Sequence, residues 1–148
     1  MITLRPVRES DRAFWLSIDR HTTEQGFSRK VSSRLGFLVC EDGKPCGLLH
    51  YCALWDNLPF LNLLFLLPEA RGHGAGRRAM ALWEDEMRAL GYSMALTSTQ
   101  SDEDAQLFYR RIGYRDCGVL LLQDCPLAQP PELFLCKTLD AEKEETRG

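Results

Sequence analysis

The chain has no long apolar run. Its uninterrupted apolar stretches do not exceed five residues, Leu63–Leu67 being one, far short of the roughly 18 to 20 needed to cross a bilayer. It also has no basic excess. A net charge of −3 provides no global field to capture a phosphate backbone, so nucleic acid is not the expected partner. The cysteines Cys40, Cys46, Cys52, Cys117, Cys125 and Cys136 include no C-x-x-C pair. None stands with His21, His50 or His73 at zinc-ligand spacing, and no H-E-x-x-H occurs; no metal site is expected. Most of the cysteines lie inside apolar runs and read as reduced thiols. The opening Met1-Ile2-Thr3-Leu4-Arg5-Pro6 turns polar too early for a signal peptide. A soluble, cytoplasmic protein with no membrane partner is therefore expected.

What is present is the composition of a globular protein: 148 residues, 45% apolar and 26% charged, enough for one domain with its own core. Ile2–Arg5 alternates as a strand, and Ser10 is placed to cap a helix over Asp11–Asp19 carrying Phe14, Trp15 and Ile18. His21–Ser33 is polar and broken by Gly26, and its structure is left open. Leu35–Cys40 and Gly47–Leu54 flank Asp42-Gly43, a hairpin signal. Leu61–Leu67 reads as a strand buried on both faces and stopped by Pro68. Ala79, Met80, Trp83, Met87 and Leu90 then recur at helical spacing up to Gly91, with Glu84 and Arg88 as an exposed pair. Ser93–Thr97 is a short strand. Ser101 with Asp104 resembles a capping box ahead of Ala105, Phe108 and Ile112. Val119–Leu122 and Leu133–Cys136 complete the strands, and the charged stretch 140–148 is expected to be disordered. No repeat or linker interrupts the chain, and the alternation predicts an α/β fold around one mixed sheet.

The segment that carries chemistry is Leu63-Leu64-Phe65-Leu66-Leu67-Pro68-Glu69-Ala70-Arg71-Gly72-His73-Gly74-Ala75-Gly76-Arg77-Arg78. A strand runs into three glycines at alternate positions, and these open a helix whose free N–H groups and positive dipole end face the loop. Backbone without Cβ atoms approaches an oxyanion closely, and Arg71, Arg77 and Arg78 bring positive charge, so the segment reads as an anion site. The plainer alternative is a tight turn with exposed arginines, which needs one glycine where this loop has three. A Walker A loop is excluded because Gly76 is followed by Arg77-Arg78 instead of Lys-Ser/Thr. A dinucleotide fingerprint needs G-x-G-x-x-G near the first strand, and here the spacing and the place in the chain both differ.

Arg71-Gly72-His73-Gly74-Ala75-Gly76 resembles the Arg/Gln-x-x-Gly-x-Gly/Ala signature of the GNAT superfamily of acyl-CoA-dependent N-acetyltransferases. Ala105-Gln106-Leu107-Phe108-Tyr109-Arg110-Arg111-Ile112-Gly113-Tyr114 resembles its A-x-x-F-Y-x-x-x-G-F/Y segment. The order of elements fits as well. The resemblance implies a domain over residues 1–139 with a mixed, mostly antiparallel sheet of about six to seven strands and about four helices. It implies acetyl-CoA as acyl donor and an amine acceptor, small molecule or peptide, attacking the thioester directly. Backbone N–H groups of Gly72, His73, Gly74, Ala75, Gly76 and Arg77 would hold the pyrophosphate, with Arg71 beside them, and the main chain of Phe65 and Leu66 would bind the pantetheine arm. Tyr109 would protonate the departing thiolate, a task for which a phenol of pKa near 10 is suited. A homodimer would be unsurprising in such a family.

Two positions depart from the family pattern. Many relatives carry Asn where this chain has Asp102, and an ionised carboxylate cannot donate to pantetheine. Many carry a Glu general base where this chain has Asn62, and an amide takes up no proton at neutral pH. Glu24, His50 and Asp56 are the substitutes the sequence offers as base. An alternative reading follows from the same departures: a catalytically lapsed acyl-CoA-binding sensor or interaction domain. A plain nucleotide-binding α/β module is a third.

Overall fold

Strand β1 (Ile2–Pro6) runs antiparallel to β2 (Gly36–Glu41), which returns antiparallel into β3 (Lys44–Leu54). The computed structural model describes residues 1–139, and the stretch 140–148 expected to be disordered lies outside them. Helices α1 (Arg12–Ile18) and α2 (Glu24–Ser32) fall between β1 and β2. After β3 come β4 (Leu58–Leu66), α3 (Ala75–Ala89), β5 (Met94–Gln100), α4 (Ala105–Arg111), β6 (Arg115–Leu120) and β7 (Glu132–Thr138). Over the described residues these form one seven-stranded mixed sheet in the order β1-β2-β3-β4-β5-β7-β6, the α/β architecture expected above. β4 pairs parallel to β5, while β5–β7 and β6–β7 are antiparallel.

The chain gathers into two compact units, Met1–Cys52 with Asn62–Asp85, and Ala53–Leu61 with the described residues from Glu86 onward. In the first unit Trp15 and Phe27 meet edge to face at 5.6 Å and are wholly buried together with Leu38 and Leu48. Gly36 makes room for this cluster, because a Cβ there would come within 2.9 Å of the Trp15 ring. Tyr51 on β3 meets Trp83 on α3 at 5.6 Å. In the second unit Ala95, Leu135 and Met87 are fully buried, and β5 pairs with β7 along its whole length.

The structure fills one stretch left open and corrects three expectations. The polar stretch His21–Ser33 contains α2: Thr23 accepts a hydrogen bond from the Gly26 N–H at 3.0 Å, Glu24 sits in the first turn, and Arg29 and Lys30 sit in the last. Capping and dipole complementarity carry this helix, with Phe27 its one buried residue. Leu63–Leu67 is half-buried rather than sealed on both faces, because β4 pairs with β5 only at Phe60↔Leu96 and Leu61↔Thr97. Strand β6 begins at Arg115, earlier than its apolar residues suggest, and all six of its residues are exposed. Glu84 is buried at 4% exposure, where the sequence reading sets it on an exposed face.

Candidate functional site

The glycine loop leaves β4 through a short turn. The Leu67 N–H bonds the Cys46 carbonyl at 2.8 Å, Pro68–Ala70 forms a 3-10 turn, and Gly72 and Gly74 follow with φ of +84° and +81°. Both lie in the left-handed region, which disfavours any residue with a Cβ. A Cβ at either position would meet nothing within 4 Å, so the loop demands glycine for its backbone path while its surface stays open. The first helical bond of α3 runs from the Arg78 N–H to the Gly74 carbonyl at 3.0 Å. The N–H groups of Ala75, Gly76 and Arg77 thus precede the helical ladder and are available to an anion at the positive end of a 15-residue helix. His73, Arg77 and Arg78 are exposed around them.

Arg71 is placed differently from its companions. Its Nε donates to the Leu66 carbonyl at 2.9 Å, and its guanidinium lies 5.1 Å from the centre of the Phe65 ring. It therefore clasps the loop to the end of β4. Phe65 is also fixed from below: a Cβ added to Gly47 would sit 2.2 Å from the Phe65 carbonyl oxygen and 3.0 Å from the Leu66 Cα. The glycine at 47 lets β3 and β4 approach closely at Phe65 and Leu66.

In the second unit Tyr109 is buried at 7% exposure. Its ring is held edge to face by Phe108 at 5.1 Å and Tyr114 at 5.7 Å. Burial pushes its hydroxyl up to about 12, with a nearby Glu103 adding to the rise and a hydrogen bond with Thr97 opposing it. Thr97 Oγ in turn donates to the Leu61 carbonyl at 3.3 Å. A chain of hydroxyls thus links Tyr109 to Leu61, the last residue of β4 that pairs with β5. Helix α4 ends where Gly113 takes φ of +102° and Lys137 Nζ donates to the Ile112 carbonyl at 2.8 Å. Asp102 is exposed in the turn before α4, and the Ser101–Asp104 box is not formed: the helix starts after Asp104 without a side-chain cap.

The residues named as possible bases are scattered in role. His50 is buried, its Nε2 3.1 Å from Asp19 Oδ2, and its Nδ1 has no partner among the described residues. Asp19 also accepts from the Thr22 hydroxyl and from the His21 N–H at 3.1 Å. Burial raises its carboxyl, but these hydrogen bonds outweigh burial and hold it well below the usual carboxylate range. The pair fastens the α1–α2 connection to the middle of β3. Glu24 is exposed at the start of α2, and Asp56 is exposed in the β3–β4 turn at φ of +62°. Asn62 is exposed on β4, and its Oδ1 accepts from Lys30 Nζ at 3.1 Å. Lys30 also donates to the Tyr51 carbonyl at 2.6 Å. Sequence reasoning missed Lys30 because it missed the helix that carries it; its place four residues before Arg34 and three after Phe27 gives no other signal. Among the described residues no group of three or more His, Cys, Asp or Glu is placed to hold a metal, and no helix is long and apolar enough to cross a membrane.

The sequence matches the model of the Acetyltransferase (GNAT) family over residues 4–114. No curated protein matches it by sequence. Among solved structures it is similar to the spermidine/spermine N-acetyltransferase SpeG of Vibrio cholerae, at 13% identity and a TM-score of 0.79, covering 98% of this chain and 96% of that one. It is similar to Arabidopsis thaliana Naa50 in complex with the bisubstrate analogue CoA-Ac-MVNAL, at 13% identity and 0.75, covering 92% and 97%. It is also similar to the ribosomal-protein-S18-alanine N-acetyltransferase of Escherichia coli, at 16% identity and 0.75, covering 94% of each chain. At these identities the likeness is one of fold.

Proposed function

Because the chain belongs to the GNAT acetyltransferase family, we propose that it transfers an acetyl group from acetyl-CoA to a primary amine by direct attack within a ternary complex. The observation that carries this reading is the open glycine turn at the start of α3, where Gly72 and Gly74 take left-handed backbone and leave their surface clear. A diphosphate fits such a cradle: several N–H donors, a helix dipole and the exposed Arg77 and Arg78 act together. The main chain at Phe65 and Leu66 receives the pantetheine arm, and the half-buried aliphatic side of β4 shields it from water. Proximity and orientation supply much of the rate, and a backbone N–H of β4 stabilises the oxyanion.

Tyr109 serves as the acid for the departing thiolate. With its hydroxyl pushed up to about 12 and a thiol near 8.5, complete transfer alone is uphill by roughly 5 kcal/mol. Tyr109 therefore donates a hydrogen bond to the sulfur first and releases its proton only as one from the attacking nitrogen replaces it. Asn62 and Asp102 favour the second reading, a domain that binds acyl-CoA without transfer. Calorimetric titration with acetyl-CoA, ATP and NAD, followed by free-thiol release with an amine panel, separates the two. Acetyl-CoA binding with thiol release supports the transferase; binding with none supports the sensor; affinity for ATP or NAD alone removes both.

A further inference from the structure

The Asn62–Leu66 stretch of β4 is reached by two side-chain cations, Arg71 at the Leu66 carbonyl and Lys30 at Asn62 Oδ1. At about 3.3 Å per residue the two points lie roughly 13 Å apart along the strand. They differ in chemistry. A guanidinium keeps its proton at any working pH, whereas an ammonium on a partly buried stem gives its proton up more readily. Lys30 Nζ lies 3.1 Å from Asn62 Oδ1 and 2.6 Å from the Tyr51 carbonyl.

We propose that Lys30, held between the Tyr51 carbonyl and the Asn62 amide, is the group that takes the proton from the acceptor ammonium. The assignment rests on the acetyl-transfer reading above. A neutral ε-amine has two N–H donors and one lone pair. The two carbonyl acceptors at 2.6 and 3.1 Å use both donors, which leaves the lone pair for an incoming N–H. Burial of Lys30 draws its ammonium below the ordinary lysine range. The titratable groups that bear on it are Cys52 on β3 and Asp19 beyond α1, and both act in the opposite sense. The step balances. An acceptor R–NH3⁺ gives one proton to Lys30, which passes it to solvent. The resulting amine forms the C–N bond to the acetyl carbon and loses its second proton as the C–S bond breaks. That proton replaces the one Tyr109 delivers to sulfur.

The test has two independent arms. The chain contains four lysines, Lys30, Lys44, Lys137 and Lys143, so carbon-13 ε-labelled lysine gives a spectrum in which Lys30 is assigned by its loss in Lys30→Arg. Lys30 is expected to titrate below the other three. Thiol release from acetyl-CoA is then followed against pH with spermidine, alaninamide and the peptide Met-Val-Asn-Ala-Leu as probes. Lys30→Met and Lys30→Arg are expected to lower kcat/KM about 100-fold near pH 7.5 with acetyl-CoA affinity retained. The deficit of Lys30→Met should shrink toward pH 10, where the amine arrives neutral. Titration of Lys30 together with the other lysines overturns the proposal, as does a Lys30→Met deficit equal at both pH values or a fully active Lys30→Arg. If the unaltered protein binds acetyl-CoA but releases no thiol with any probe, the acetyl-transfer reading fails first. The lysine titration tells that failure from one of Lys30 alone.

Discussion

Replacing Gly47 by Ala should damage both the fold and the ligand cradle. The added Cβ would lie 2.2 Å from the Phe65 carbonyl oxygen, 2.9 Å from Leu66 Cδ2 and 3.0 Å from Leu66 Cα. An ordinary carbon–oxygen contact is about 1 Å longer than the first of these, and the atom in the way is backbone. No rotamer change relieves it. Strand β4 must move by about 1 Å against the Leu67 to Cys46 hydrogen bond that anchors its end. Overpacking of this kind typically costs 1–3 kcal/mol, and with backbone as the obstacle about 3 kcal/mol is expected, or roughly 10 °C in Tm for a chain of this size. Urea unfolding monitored by circular dichroism gives the number, with Gly118→Ala as control, since a Cβ there meets only Phe134 Cβ at 4.0 Å. The same displacement should weaken acetyl-CoA binding by at least tenfold, because Phe65 and Leu66 move with the strand. A Gly47→Ala protein within 0.5 kcal/mol of the parent, binding acetyl-CoA equally well, would refute the close approach of β3 and β4.

Other expectations follow from the same geometry. Tyr109→Phe should lower turnover about 100-fold while acetyl-CoA affinity, measured calorimetrically, stays within a few-fold. The same variant tests linkage. Tyr109 is raised from 10 to about 12, so its contribution to stability is full below pH 10 and is lost as pH rises toward 12. That is about 3 kcal/mol, and the urea midpoint should fall more steeply from pH 9.5 to 11.5 in the parent than in Tyr109→Phe. Gly74→Glu should abolish acetyl-CoA binding, by strained backbone at φ of +81° and by setting an anion in the cradle. Asp19 is held below its unfolded range, so its contribution is present above about pH 4 and is lost as pH falls through the folded value. Asp19→Asn should be less stable than the parent at pH 7, with the gap narrowing in acid denaturation series below pH 4.

Local chemistry was the legible part of the sequence. Asp42 and Gly43 take φ of +50° and +84° between paired Glu41 and Lys44, as an Asp-Gly hairpin signal requires. The buried stripe of α3, namely Ala79, Met80, Trp83 and Met87, is the periodicity read from the chain, whereas Leu90, read with it, lies past the end of the helix and is exposed. The glycine loop and Tyr109 stood out because alternate glycines and an aromatic pair are rare patterns. Tertiary context was not legible. Whether Leu63–Leu67 is sealed depends on where β4 parts from β5, and no residue in the run encodes that. Helix α2 buries one residue, so no hydrophobic period announces it, and Lys30 went unseen with it. Strand β6 is exposed along its length, and its start at Arg115 is set by pairing with β7 rather than by its own apolar residues.

The three glycines at 47, 72 and 74 are required for different physical reasons within one molecule. Gly47 is guarded by crowding, so a change there disturbs folding itself. Gly72 and Gly74 are guarded only by handedness: their surroundings are empty and their backbone is exposed. A substitution at 72 or 74 should therefore leave the core sound and strain only the path of the loop. Unfolding measurements should register a change at 47 far more strongly than one at 72 or 74.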